Sequence, residues 1–365
     1  MASHDTSRLP HQPTHQFDAH DLLTIHFEGR DIPAHPGETV GSALYAADVR
    51  TFSRSFKYHR PRGLFCVSGQ CPNCLMNVDG VPNVRVCTEP VRDKMWVKSQ
   101  NAWPSLDFDL LSVNDRLSAF LPVGFYYKRF IRPRFMWPVY EHVLRHAAGL
   151  GELDRTRHDA HDTHYEHLTR HADVAVVGGG PAGLSAALEA AGTGARVVLI
   201  DDQPALGGHL RWQTAAVNGE AGFETGRRLG SDVARTENIE VFSNATAFGV
   251  YEGNLLGVNQ GRRTIHVRAR RIIVAAGTFE RPLVFHNNDL PGVFLGGGVR
   301  RLVHLYGISP GKNALVVSAN DSGLAVAKTL LDAGVHIEAL ADNRTELPDS
   351  DLLTLLKAAD RKSVV

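Results

Sequence analysis

Residues 65–87 read FCVSGQCPNCLMNVDGVPNVRVC and contain Cys66, Cys71, Cys74 and Cys87, every thiol of the 365-residue chain. The spacing is C-x4-C-x2-C-x12-C. Thiols grouped this closely can form disulfides, ligate a structural zinc, cycle as a redox dithiol or hold an iron–sulphur cluster. An x4 and x2 spacing followed by a distant fourth cysteine is the plant-type [2Fe–2S] pattern. Structural zinc sites usually present two C-x2-C knuckles, and only Cys71 and Cys74 have that spacing here. A thioredoxin-like CPNC pair should open a helix after a strand, and would leave Cys66 and Cys87 without a role. A [2Fe–2S] cluster on all four cysteines is therefore expected, with zinc as the main alternative. Asp79-Gly80, flanked by β-formers, predicts a hairpin that folds Cys87 back beside Cys74. Just upstream, RSFKYHRPRG carries Arg54, Lys57, Arg60 and Arg62, which suit either an anionic partner or a solvated loop.

A second stretch could hold a dinucleotide. Gly178, Gly180 and Gly183, with Pro181 and Ala182 between them, form GGGPAG, a G-x-G-x-x-G. Alone that signal is weak. Here it follows the apolar run ADVAVV and opens the helical run PAGLSAALEAA, the context the fingerprint requires. The first glycine permits the tight turn, the second lets the backbone approach a pyrophosphate, and the third lets helix and strand pack closely. The helix N-terminus offers unpaired N–H groups to phosphates. The following strand, ARVVLI, ends at Asp201, which can accept from a ribose diol and would repel a 2′-phosphate; Asp202 is the alternative if the strand runs one residue longer. FAD or NAD is thus expected rather than NADP. Gly207 and Gly208 provide a second close approach, and Gly277 in IIVAAGTFERP a closing turn. A further strand–turn–helix, VVSANDSGLAVAKTLL, has Ser318, Asn320 and Gly323 at the glycine positions, so no dinucleotide is expected there.

The elements that position these groups fall into blocks. Residues 1–20 are polar and are expected as a disordered tail, and 21–100 as an α+β β-grasp ferredoxin-like domain, with a helix starting near Glu38. Residues 101–171 form an aromatic-rich connector whose aromatics are expected to pack on neighbouring domains, with a partner surface as the alternative, followed by a His-rich linker. An α/β Rossmann-type domain spans 172–310, and 311–365 begin a second dinucleotide-type domain that is incomplete at the C-terminus. Lys plus Arg and Asp plus Glu are 39 each, which argues for no nucleic-acid partner. No uncharged apolar run approaches the roughly 20 residues of a membrane helix. The N-terminus has no apolar core of a secretory signal, so a reducing, cytoplasmic location is expected.

RSFKYHRPRG, SQNAWPSLDFDLLSVND, LPVGFYYKRFIRP and VYEHVLRHAAGLG, followed by ADVAVVGGGPAGLSAALEAA, closely resemble the α subunits of heterotetrameric sarcosine oxidases, from about Leu22 to near Leu340. The resemblance implies a multi-subunit amine oxidase. Its β subunit carries FAD and oxidises the N-methyl C–N bond, FMN lies at the α/β interface, and the α subunit binds NAD through residues matching Gly178, Gly180, Gly183 and Asp201. It implies no substrate-oxidising residue in this chain. The best-known α subunits lack the cluster cysteines, whereas related opine and hydroxyproline dehydrogenases and cyanide synthases use iron–sulphur components. Electrons are accordingly expected to leave through a cluster. A folate domain and the return of the chain to its first dinucleotide domain do not follow KAADRKSVV, so a truncated α subunit is expected, one that aggregates when expressed alone.

Overall fold

A computed structural model describes residues 7–122, 124, 132–147, 149, 151, 165–345 and 353–354. The chain divides into two compact units, Met1–Thr156 with Glu280–Val365, and Arg157–Phe279.

The first unit contains the β-grasp expected from sequence. Strands β1 (Leu23–Phe27), β2 (Arg30–Ala34), β5 (Leu75–Val78), β6 (Val81–Arg85) and β7 (Trp96–Lys98) form one sheet in the order β2-β1-β7-β5-β6. A minor ladder joins β3 (Ser53–Arg54) to β4 (Pro61–Arg62). Glu28-Gly29 and Asp79-Gly80 take positive φ at both turn positions, the backbone that matches strand twist in a two-residue hairpin. The parallel pairing of β1 with β7 needs a crossover, and α1 (Val40–Ala46) provides it with every residue buried. This helix starts at Val40 rather than near Glu38, because Thr39 and Ser42 form the capping box. Glu38 instead turns inward, accepting from the His35 N–H and from the Arg8 guanidinium.

Three expectations change here. From Ser7 the supposed tail is tied down: the Leu9 N–H donates to the Gly307 carbonyl, the Gln16 N–H to Leu305, and the Ser309 N–H to Ser7. Residues 280–310 belong with the first unit, not with the Rossmann domain. Helix α2 (Val113–Arg116) and helix α3 (Trp137–Ala147) lie in the aromatic connector, whose aromatics are not packed away: Trp103, Phe108, Phe120 and Phe135 are 63%, 64%, 69% and 78% exposed. Phe125, Tyr126, Tyr127 and Phe130 fall outside the described residues.

The Arg-rich segment is neither an anion site nor a solvated loop. Arg54 donates to the Leu106 and His59 carbonyls, Arg60 to Asp289 and Asp115, and Arg62 to the Asp289 carbonyl. Beside them the buried His59 meets the buried Asp109 at 2.7 Å. The segment spends its charge fastening the β-grasp to residues far away in sequence.

The second unit is the Rossmann domain. Strand β8 (Glu166–Val177), helix α4 (Pro181–Gly192) and strand β9 (Val197–Ile200) make the first βαβ step. The hairpin β10 (Ala216–Val217) and β11 (Glu220–Ala221) leads into helix α5 (Gly222–Arg235), and then come β12 (Ile239–Phe242), β13 (Thr246–Tyr251), β14 (Leu255–Gln260) and β15 (Arg263–Val274). The sheet order is β12-β9-β8-β15-β14-β13, with β12, β9, β8 and β15 parallel. Strand β8 begins at Glu166 because residues from Glu166 onward pair with β15 from Arg263. So EHLTRH is strand, not linker; residues 158–164 of the linker lie outside the described residues, and Tyr165 is exposed.

Beyond Glu280 the first unit resumes with helix α6 (Gly296–Tyr306), β16 (Asn313–Ser318), helix α7 (Asp321–Asp332) and β17 (His336–Asp342). Val299 and Val303 of α6 join the core of this second βαβ step, while Leu302 joins the β-grasp core. One helix thus serves two cores. Among the described residues no helix is long and apolar enough to cross a membrane.

Candidate functional site

The loop between β4 and β5 carries Cys66, Cys71 and Cys74, and Cys87 follows β6. Cys66, Cys74 and Cys87 are buried and Cys71 is half-buried. The neighbouring Cys71 and Cys87 thiols hold Cys66 well below the usual thiol range, and Cys87 lowers Cys74. Cys66 and burial push Cys71 up, and Cys66, Cys74 and burial push Cys87 up. Each of the four sulphurs thus feels at least one of the others. The Gly69 N–H donates to Cys87 Sγ at 3.2 Å. Gly69 takes φ +73, and a Cβ there would press on Thr88 Cγ2 at 3.0 Å, so the wrap needs glycine. The buried Val67 sits at φ 50, an uncommon conformation for a β-branched residue and the kind of backbone outlier that clusters at functional sites.

This geometry fits a two-iron cluster. Each iron of a [2Fe–2S] centre takes two thiolates, and the four thiols here supply two such pairs, Cys66 with Cys71 and Cys74 with Cys87. A single structural zinc would instead take all four sulphurs on one sphere of about 2.3 Å. The cysteines do not open a helix: the segment after Cys74 is strand β5, unlike a CPNC redox pair.

The dinucleotide fingerprint folds as its spacing implies. Gly178 takes φ +109 and packs against the Ala275 carbonyl at the end of β15. A Cβ on Gly183 would strike the Gly178 carbonyl oxygen, so close packing of α4 on the loop requires glycine. Gly180 is the N-cap of α4 and Pro181 its first residue, leaving the N–H groups of Ala182 and Gly183 at the helix start, where a phosphate is favoured. Gly207 and Gly208 lie across from this turn: the Gly207 N–H donates to the Gly179 carbonyl, and Gly208 faces Gly180. Gly277 stands exposed after β15 with open space around it.

Asp201, the residue expected to meet a ribose, is tied to the glycine turn. Its carboxylate accepts from the Gly179 N–H at 2.5 Å and from the Gln203 N–H at 2.8 Å, and it is buried. Burial raises its pKa, and those two N–H groups pull the other way. Asp201 braces the glycine turn. Asp202, one residue on, is exposed and shares only Gln203 Nε2 at 2.9 Å, which leaves its carboxylate accessible to a ligand. We expect Asp202→Ala to weaken dinucleotide affinity about tenfold, near the 1.4 kcal/mol of a lost charged hydrogen bond, with unchanged thermal stability. Asp201→Ala should instead cost roughly 2 kcal/mol of folding stability by orphaning buried N–H groups. Titration by fluorescence and urea melts separates the two. In the second βαβ step, Asn320 caps α7 by accepting from the Ser322 N–H, and Ser318 Oγ bonds the Asn320 backbone.

Residues 20–102 match the family described as a 2Fe-2S iron-sulfur cluster binding domain. Residues 172–358 match the family described as pyridine nucleotide-disulphide oxidoreductase. The alpha subunit of sarcosine oxidase from Rhizobium meliloti (strain 1021) is 39% identical over 342 residues, 88% of this chain and 34% of that protein. An opine oxidase component of Agrobacterium tumefaciens (strain Ach5) is 27% identical over 176 residues, 45% of this chain and 35% of that protein. The chain thus spans about a third of the length of these relatives. In fold it is similar to L-proline dehydrogenase from P. horikoshii, with a TM-score of 0.63 at 23% identity, covering 91% of this chain and 55% of that one.

Proposed function

Since the chain belongs to the pyridine nucleotide-disulphide oxidoreductase family through residues 172–358 and places a [2Fe-2S] domain ahead of it, we propose that it is the α-subunit-like component of a sarcosine-oxidase-type amine oxidoreductase that acts on CH–NH bonds. The observation that carries this reading is the C-x4-C-x2-C-x12-C set within a matched 2Fe-2S domain, in a chain aligned over 88% of its length with the alpha subunit of a sarcosine oxidase. Bound, a [2Fe–2S] cluster supplies one-electron transfer and a flavin or nicotinamide dinucleotide supplies two-electron chemistry. Cys66, Cys71, Cys74 and Cys87 would hold the cluster and keep it largely out of water. Gly178, Gly180, Ala182 and Gly183 would admit and bind the pyrophosphate, and Asp202 the ribose, selecting NAD or FAD. Oxidation of a secondary amine such as sarcosine, or of an opine-like amine, belongs in this proposal to an FAD-bearing partner subunit, with FMN at their interface and further small subunits in the complex.

The exposed aromatics support a subunit role. Exposed large apolar side chains can mark an interface, and Trp103, Phe108, Phe120, Phe135, Val139 and Val143 are each exposed. Free thiols fit a reducing cytoplasmic site of assembly. The deciding experiment is anaerobic purification of the chain with visible and EPR spectra and metal analysis. Two irons and two labile sulphides per chain, with a rhombic signal on reduction, are expected. One zinc with no iron would sink the electron-transfer role. Co-expression with an FAD-bearing subunit should then give an amine-dependent reduction of that signal.

A further inference from the structure

Helix α6 approaches the cysteine loop from a part of the chain more than 200 residues away, with no motif linking the two. The Leu295 N–H donates to the Phe65 carbonyl at 3.0 Å. A Cβ on Gly298 would lie 2.6 Å from the Phe65 oxygen and 3.2 Å from the Cys66 oxygen, so glycine allows the helix to sit directly on the loop. One turn on, Arg301 extends Nη1 to the Cys66 carbonyl at 3.4 Å, 235 positions from it in sequence. Opposing it, the Glu280 carboxylate accepts from the Gly297 N–H at 2.7 Å, and both Glu280 and Arg301 reach Gly297. The loop that carries the ligands therefore has a fixed cation seated on the first cysteine and an anion behind that cation.

We propose that Arg301 is a positioning residue that raises the reduction potential of the cluster held by Cys66, Cys71, Cys74 and Cys87, with Glu280 partly offsetting it. The inference rests on the cluster reading. Reduction adds one negative charge to the centre, and a guanidinium held nearby stabilises the reduced form. Arginine stays protonated under any condition a protein survives, and half-burial keeps salt from screening it fully. Burial weighs against its charge while the nearby Cys66 and Cys87 favour it, in keeping with its contact to the Cys66 carbonyl.

The test is a dithionite titration of the reconstituted full chain, followed by visible absorbance and EPR, with one electron taken up per cluster. Arg301→Gln should shift the reduction equilibrium about tenfold toward the oxidised form, about 59 mV for one electron. Arg301→Lys, which keeps the charge, should stay within about threefold of the parent. Glu280→Gln should move the potential the other way. A loop merely loosened by substitution would not give shifts of opposite sign. An unmoved Arg301→Gln potential, or shifts of the same sign in both variants, overturns the proposal. If Arg301→Gln fails to load with iron, Glu280→Gln decides alone, an upward shift supporting and no shift overturning. A parent chain without iron and labile sulphide would remove the cluster reading beneath it, whereas a loaded parent with unmoved variants sinks only the role of Arg301.

Discussion

Cys74→Ser is expected to abolish iron and sulphide retention and to destabilise the metal-free chain, whereas Cys71→Ser should abolish retention alone. Both follow from where the sulphurs sit. Cys74 is 1% exposed and packs in the β-grasp core, immediately before β5 and near Met76 and Val86. A serine there buries a hydroxyl among apolar groups, at a cost of roughly 1–3 kcal/mol. Cys71 is half-buried on the loop, so its hydroxyl replacement can reach water. Either change removes one of four thiolates, and a centre that needs two per iron cannot close. Metal binding that depends on a folded site is itself folding free energy, so the parent should gain stability on reconstitution and both variants should not. Iron and sulphide assays report the shared loss. Urea unfolding of the metal-free proteins reports the difference, with Cys71→Ser within about 1 kcal/mol of the parent. A Cys74→Ser chain that keeps its iron and its rhombic signal would end the four-cysteine assignment.

What could be read in advance was local. The cysteine spacing, the Asp79-Gly80 hairpin and the strand–GGGPAG–helix order each lie within about two dozen residues, and each folds as its own sequence dictates. What could not be read depends on partners far along the chain. Arg60 looked like a free cation in a basic loop, yet it meets Asp289, 229 positions away. The N-terminal segment looked disordered because its backbone partners are Leu305 and Gly307. The border drawn at 310 followed α/β texture, but α6 contributes Leu302 to the β-grasp core, which texture does not encode. The start of β8 was missed because its outward positions are polar, and only pairing with β15 makes EHLTRH a strand. That Asp201 is buried and holds the Gly179 and Gln203 N–H groups while Asp202 is exposed follows from the turn beyond β9, which spacing alone does not encode.

The same distinction between bracing and binding predicts the behaviour of two glycines three residues apart. Gly183→Ala should lose both stability and dinucleotide binding, and Gly180→Ala should lose binding alone. An added Cβ on Gly183 collides with the Gly178 carbonyl oxygen. That atom is backbone in the tight turn and cannot rotate aside, so α4 must move off β8. The shift loosens Leu184 and Ala187, both fully buried, and overpacking of this kind costs about 1–3 kcal/mol. At Gly180 the nearest atom to an added Cβ is Gly208 Cα at 3.8 Å, an ordinary contact, and the backbone there is extended at φ −78, ψ −178, which alanine adopts freely. The empty-site fold should therefore tolerate Gly180→Ala within about 0.5 kcal/mol. The methyl nevertheless stands between the N-terminus of α4 and the Gly207–Gly208 turn, where the pyrophosphate must approach. A loss of at least about a hundredfold in affinity, some 2.7 kcal/mol, is expected for each variant. Calorimetric titration with NAD and with FAD, set beside urea melts, measures both quantities. Full affinity in Gly180→Ala would place the phosphates elsewhere, while equal destabilisation of the two variants would mean that Gly180 too is held for packing.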